Sequence, residues 1–157
     1  MPYAPYHFYY FCSTADEQAD WFIRNVPKQA MYLPPVLDVE WNGASKTCKY
    51  RPSKVTAVAE LQRYMDRIEA HYGKRPIIYT AVDFHRDVLV GEFKNYHFWL
   101  RAVADHPSKV YEDRRWAFWQ YTSTGVIPGV DGEVDINVFA GSQKNWKSWV
   151  ATVASGS

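Results

Sequence analysis

Pro35-Val36-Leu37-Asp38-Val39-Glu40-Trp41 reads as a β-strand whose two faces differ in chemistry. Side chains alternate across a strand, so Leu37, Val39 and Trp41 share one face while Val36, Asp38 and Glu40 share the other. The first face suits burial beneath helices. The second aims two carboxylates the same way, about 6–7 Å apart at roughly 3.3 Å of rise per residue. A strand covered by helices on one side and presenting acids on the other belongs to a helix-backed sheet, and the flanking sequence agrees.

Upstream, the aromatic run Tyr6-His7-Phe8-Tyr9-Tyr10-Phe11 reads as a strand. Thr14-Ala15-Asp16-Glu17 has the spacing of a capping box, and the helix it opens carries Ala19, Phe22, Ile23 and Val26 on one stripe before stopping at Pro27. Downstream, Val58, Leu61, Met65, Ile68 and Tyr72 recur at helical spacing, and Gly73 stands where a C-terminal cap belongs. Further strands are read at Pro76–Thr80, His97–Val103, Trp116–Tyr121 and Val134–Val138. An amphipathic helix over Ser142–Ala154 turns Trp146, Trp149, Val150 and Val153 inward. Strands alternating with helices predict an α/β fold with a parallel sheet, either a closed barrel or an open sheet, with functional groups at the C-terminal ends of the strands.

Composition narrows the function classes. With 18 Lys+Arg against 17 Asp+Glu the net charge is +1, which excludes the basic excess of a nucleic-acid binder. At 47% hydrophobic residues the chain is globular, and its 157 residues suit a single domain. No apolar run reaches the roughly 20 residues needed to span a membrane. The opening Met1-Pro2-Tyr3-Ala4-Pro5 has no charged-then-apolar leader, so no signal peptide is expected in it. The five His show no metal-ligand spacing; no metal and no cofactor are expected. Aromatic content is high, with 7 Trp, 12 Tyr and 8 Phe, which suits a core, an interface or a cleft that stacks on sugar rings.

The candidate chemistry lies at the strand ends. Two carboxylates as close as Asp38 and Glu40, partly desolvated, push one pKa up, leaving one protonated acid and one carboxylate, as glycosidic bond cleavage requires. On a solvated surface strand the same pair would do nothing. Asp135 and Asn137 share a face of the last strand, and Asp135 is a third acid of the same kind or a turn cap after Gly132. Trp99 with Arg101, and Trp119 with Gln120 and Tyr121, end two strands and could line a sugar groove; Tyr6, His7 and Tyr79 are further candidates, though for any one ring taken singly the core reading is favoured. Cys12 and Cys48 each lie just past the end of neighbouring strands, and are either bridged, implying an oxidising compartment, or free thiols.

Taken together the motifs resemble a known family. Ala4-Pro5-Tyr6-His7-Phe8-Tyr9, Leu37-Asp38-Val39-Glu40-Trp41, Ile78-Tyr79-Thr80, and Phe118-Trp119-Gln120-Tyr121-Thr122-Ser123 leading through Ile127-Pro128-Gly129-Val130 to Val134-Asp135-Ile136-Asn137 are similar, in order and spacing, to the family 25 glycoside hydrolases, the Chalaropsis-type lysozymes. The resemblance implies a (β/α)8-like barrel and an N-acetylmuramidase that cuts the β-1,4 bond between N-acetylmuramic acid and N-acetylglucosamine in peptidoglycan. It implies Glu40 as general acid and Asp38 as the carboxylate that orients the substrate's 2-acetamido group, which acts as internal nucleophile with retention. It also implies Asp135 as the acid of the last strand, and a groove lined by Tyr6, Tyr79, Trp99, Arg101, Trp119 and Tyr121. An extracellular or periplasmic site of action follows from such a substrate.

The family pattern opens with a G-x-D-V-S strand and a second strand ahead of the Tyr-His-Phe strand, and neither is present here. Only six strands of a barrel of eight are expected, so residues 1–157 read as one catalytic-type domain that is incomplete at its N-terminus. Two open sheet edges favour association with a second copy or strand exchange. The alternative function is an inactive remnant or a non-catalytic cell-wall carbohydrate-binding domain.

Overall fold

The structure, a computed structural model, describes residues 3–28, 32–112 and 114–154, so Met1 and Pro2 of the opening segment lie outside it. Six strands form one sheet in the order β1 (Tyr6–Phe8), β2 (Val36–Val39), β3 (Ile77–Ala81), β4 (Phe98–Arg101), β5 (Phe118–Gly125) and β6 (Val134–Phe139). Strands β1 to β5 are parallel, in registers that pair Phe8 with Asp38, Asp38 with Tyr79, Tyr79 with Trp99 and Arg101 with Gln120. The sheet is the mostly parallel, curled half of a barrel, with β1 and β6 as its edges among the described residues.

The all-parallel expectation fails at the last strand: β6 runs antiparallel to β5. The link between them, residues 126–133, is too short for the crossover of a dozen or more residues that a parallel pair needs, and it turns through Gly129 and Gly132 at φ 87° and 95°. Several strands are also shorter than their apolar runs. Tyr9, Tyr10 and Phe11 follow β1 as loop, while β5 extends beyond Tyr121 to Gly125 through register shifts.

Helix α1 (Ala15–Asn25) starts at Thr14 with the complete capping box, the Thr14 side chain accepting from the Glu17 amide and Glu17 accepting from the Thr14 amide. Helix α2 (Lys54–Tyr72) is capped by Ser53 and ends on Gly73 at φ 69°, a left-handed conformation that glycine adopts without steric cost. The two helices are tied by Asp16, which pairs with Arg63 and Arg67, and by Asp20, which pairs with Arg67. After β3 a short helix α3 (Val82–Phe84) runs into a π-helical turn over His85–Leu89, and α4 (Pro107–Val110) follows β4; sequence periodicity shows neither.

The core lies between the sheet and these helices. Leu37, Val39, Ile78, Phe98 and Leu100 are buried on the outer face against Ala19, Phe22, Leu61, Met65, Ile68, Val88 and Leu89. Each large side chain so buried is worth about 1.5–3 kcal/mol. The inner face is different. Near the N-terminal ends of the strands it forms an apolar groove of about 480 Å³, lined by Tyr6, Val36, Ile77, Trp99 and Phe118 and floored by α5 (Gln143–Ala154). Trp146 and Trp149 of α5 pack on Phe118 and Phe139, and Lys74 donates to the carbonyls of Val153 and Ala154. The α5 face expected to point inward is thus half-buried, with no residue fully enclosed.

Cys12 and Cys48 are bridged, joining the loop after β1 to the loop after β2 at the C-terminal end of the sheet.

Candidate functional site

The inner face changes character toward the C-terminal ends of the strands. Alternation there stacks polar side chains above the apolar groove: Asp38 above Val36, Tyr79 above Ile77, Arg101 above Trp99 and Gln120 above Phe118. Glu40 stands one residue past the end of β2. On β6 the antiparallel register sets Asn137 opposite Gln120 and Phe139 opposite Phe118, so Asp135 falls on the same inner face.

Asp38 is 4% exposed. Its Oδ2 accepts a hydrogen bond from the Tyr6 phenol, and its Oδ1 is buried without a donor. Burial, reinforced by the neighbouring Glu40 charge, overrides the Tyr6 hydrogen bond and pushes the Asp38 carboxyl up to about 7. Glu40 is also raised, chiefly by burial; Arg101 opposes that rise and Asp83, just past β3, adds to it. Both acids are thus raised chiefly by burial, and the Glu40 charge adds to the rise of Asp38.

Around them, the Tyr79 phenol donates to Oε1 of the buried Gln120 at 2.5 Å, and burial together with Glu40 and Asp38 holds that phenol protonated. Trp99 donates from Nε1 to Oδ1 of Asn137 at 2.8 Å while its ring meets Tyr79 edge-on at 5.6 Å. Asp135 is exposed, and its charge reaches Tyr79. The fold thus brings Tyr6, Asp38, Glu40, Tyr79, Trp99, Arg101, Gln120 and Asp135 to one face of the sheet.

Three candidates are not brought there, and alternation is the reason. His7 points to the helices, stacked on Tyr64 at 5.3 Å with Nε2 3.1 Å from Gln18 Oε1, and its burial lowers its pKa. Trp119 faces outward, donating to the Ala102 carbonyl at 2.9 Å and packing on His106 and Trp116. Tyr121 sits at the register shift of β5 with its ring beside Trp119. Conversely, Asn137 and Asp83 belong to the site's surroundings although neither stood among the expected site residues. Asn137 was readable from its shared face with Asp135; Asp83 lies in a helical turn that leaves no periodic signal.

Among the described residues no group of three or more His, Cys, Asp or Glu side chains could hold a metal ion, and no helix is long and apolar enough to cross a membrane.

The chain is similar to several known proteins. It is 30% identical to the YegX protein of Escherichia coli K12 over 146 residues, 92% of this chain and 50% of that protein. It is 30% identical to Lysozyme M1 of Streptomyces globisporus over 138 residues, 83% of this chain and 46% of that one. The chain therefore spans about half the length of the curated relatives it matches. Among solved structures, a family 25 glycosyl hydrolase from Bacillus anthracis is 35% identical with a TM-score of 0.83, covering 94% of this chain and 68% of that one. The Streptomyces coelicolor lysozyme is 28% identical with a TM-score of 0.72, covering 97% and 72%. A sequence profile described as Glycosyl hydrolases family 25 matches residues 1–130. Matched by that profile over most of its length, and by a solved member over nearly all of its fold, the chain belongs to the family 25 glycosyl hydrolases.

Proposed function

We propose that the chain is the catalytic part of a peptidoglycan hydrolase, a retaining N-acetylmuramidase in which Glu40 is the general acid and the substrate's own 2-acetamido group is the nucleophile. The observation that carries the reading is Oδ1 of Asp38, a buried carboxylate oxygen with no donor, beside a second raised acid. An acetamido N–H is the donor it lacks. Accepting that hydrogen bond favours ionised Asp38, and the charge so fixed drives the pair's remaining proton onto Glu40. Glu40 then protonates the glycosidic oxygen as the acetamido carbonyl oxygen attacks the anomeric carbon, and the C–O bond to the leaving sugar breaks. The resulting oxazolinium ring keeps its N–H on Asp38. Water, giving its proton to the Glu40 carboxylate, opens the ring from the face the leaving group had occupied, and the configuration is retained.

Tyr79, Trp99 and Gln120 serve the same proposal as groove walls, with Asp135 at its rim. Action outside the cytoplasm belongs to it too, and the Cys12–Cys48 bridge, a bond that persists in oxidising compartments, supports it. A second reading, a glycan-binding domain without catalysis, is favoured by one observation: Tyr6, the partner of Asp38, lies on a three-residue strand at the edge of the sheet among the described residues.

Loss of turbidity of a bacterial cell-wall suspension separates the two. Lysis by the chain, reduced about 100-fold or more in Glu40→Gln, supports the muramidase. Retention on insoluble peptidoglycan without lysis supports the binding domain and overturns the catalytic reading.

A further inference from the structure

Three arginines are half-buried: Arg67, Arg101 and Arg114. Two have their guanidinium groups occupied. Arg67 pairs with Asp16 and Asp20. Arg114 donates to His85 Nε2 and to the carbonyls of Leu89 and Glu92, closing the C-terminal end of the π turn, and lies over the Phe98 ring at 4.3 Å. Arg101 is unlike both. Among the described residues its guanidinium donates no hydrogen bond and closes no ion pair; only its backbone is held, by the Tyr111 phenol donating to its carbonyl at 2.6 Å.

Its position is polar and specific. Arg101 ends β4 on the inner face, two strands from Asp38, and its charge acts on Glu40 and Tyr79. It is the one cation on the inner face of the described strands, in company with Asp38, Glu40, Asp135 and nearby Asp83. Half-burying a cation without a partner is unfavourable, and chains keep such groups where a ligand completes them. An uncharged glycan would give this guanidinium only neutral acceptors, hydroxyls and acetamido carbonyls, whereas a glycan bearing carboxylates would meet an acidic groove that repels it everywhere but here.

We propose, building on the muramidase reading, that Arg101 binds the lactyl carboxylate of the N-acetylmuramic acid unit and so sets the preference for muramyl glycans over chitin. Two strand spacings and two residues of rise separate Asp38 from Arg101, roughly 12 Å between backbones, a gap that the long arginine side chain shortens. A pyranose with its C2 acetamido group on Asp38 and its C3 lactyl ether extended toward β4 spans that distance. The planar guanidinium fork matches a carboxylate bidentately. Engaging the lactyl group also withdraws the Arg101 charge from Glu40, which favours the protonated form that the first step requires.

The test is titration calorimetry on the whole chain carrying Glu40→Gln, so that ligands stay intact, with three tetrasaccharides. These are the alternating N-acetylglucosamine–N-acetylmuramic acid tetramer as its free acid, the same tetramer with its lactyl carboxylates methyl-esterified, and chitotetraose. The free acid is expected to bind about tenfold or more tighter than the ester. Arg101→Met abolishes that gap by weakening the free acid more than the ester or chitotetraose, whereas Arg101→Lys, a point charge without the fork, keeps part of it. Equal binding of acid and ester by the starting protein, or an Arg101→Met change that weakens all three ligands alike, overturns the inference while leaving the groove a glycan site. Binding of none of the three overturns the muramidase reading and this inference with it.

Discussion

The Tyr6 phenol on β1 donates to Oδ2 of Asp38 on β2, while Oδ1 of the same carboxylate is buried with no donor at all. One oxygen is satisfied by the protein and the other is left for a ligand. The Tyr6 hydrogen bond favours the ionised carboxylate that burial disfavours, so Tyr6 holds back the rise of Asp38 toward 7.

Tyr6→Phe is therefore expected to raise the Asp38 pKa further. With ionised Asp38 needed to hold the acetamido N–H, the acidic limb of the kcat/KM profile for cell-wall lysis moves to higher pH. The rate below that limb falls about tenfold, the worth of one charge-assisted hydrogen bond. An unmoved acidic limb would show that Tyr6 does not act through Asp38.

Asp38 also makes a definite claim on stability. Its folded pKa of about 7 lies above the ordinary aspartate value of 3.8, so between those limits the native state binds the extra proton. Stability from this group is complete below about pH 4 and is lost as pH rises through 7, by up to roughly 4 kcal/mol, with Glu40 acting in the same sense. Asp16 works oppositely: hydrogen-bonded by Arg63, it is held low and favours folding until strong acid protonates it. Asp38→Asn should thus unfold at higher urea than the unaltered chain at about pH 8 and lose that advantage near pH 4. Parallel urea midpoints for the two proteins across that range would contradict the assignment.

The Cys12–Cys48 bridge closes a loop with a sequence separation of 36, whose entropy in the unfolded chain is worth about 3–4 kcal/mol. The urea midpoint should fall in dithiothreitol, and Cys12→Ser with Cys48→Ser should reproduce the fall and be insensitive to reductant. Equal midpoints with and without reductant would mean the bridge adds nothing.

Among the described residues β1 and β6 are the edges of the sheet, and Tyr3, Tyr6 and Val138 are exposed on or beside them. We expect self-association through these edges, seen as a sedimentation coefficient that rises with concentration. Val138→Lys, which sets a charge on the edge strand β6, should reduce it. A sedimentation coefficient independent of concentration would remove edge pairing from the account.

The half-barrel was legible because alternation and helical spacing are local. Leu37 and Val39 against Asp38, or Leu61, Met65 and Ile68 along α2, declare their faces without any partner in view. The acid pair was legible for the same reason. Local pattern could not report the direction of β6, which depends on how little chain links it to β5. It also put His7, Trp119 and Tyr121 with the groove, because an aromatic strand reads alike on both faces until a neighbour pins its register.

By itself, then, the sequence determined the α/β class, the strand that carries Asp38 and Glu40, the helix caps at Thr14 and Gly73, and the family pattern. Only the tertiary structure decided that Tyr6 meets Asp38 from 32 residues away, that Oδ1 is left without a donor, and that Arg101 alone among the half-buried arginines is unengaged. Periodicity within a segment records which face a residue takes. Desolvation, pKa and an unmet hydrogen bond are properties of what other segments bring to that face, and they exist only once the chain has folded.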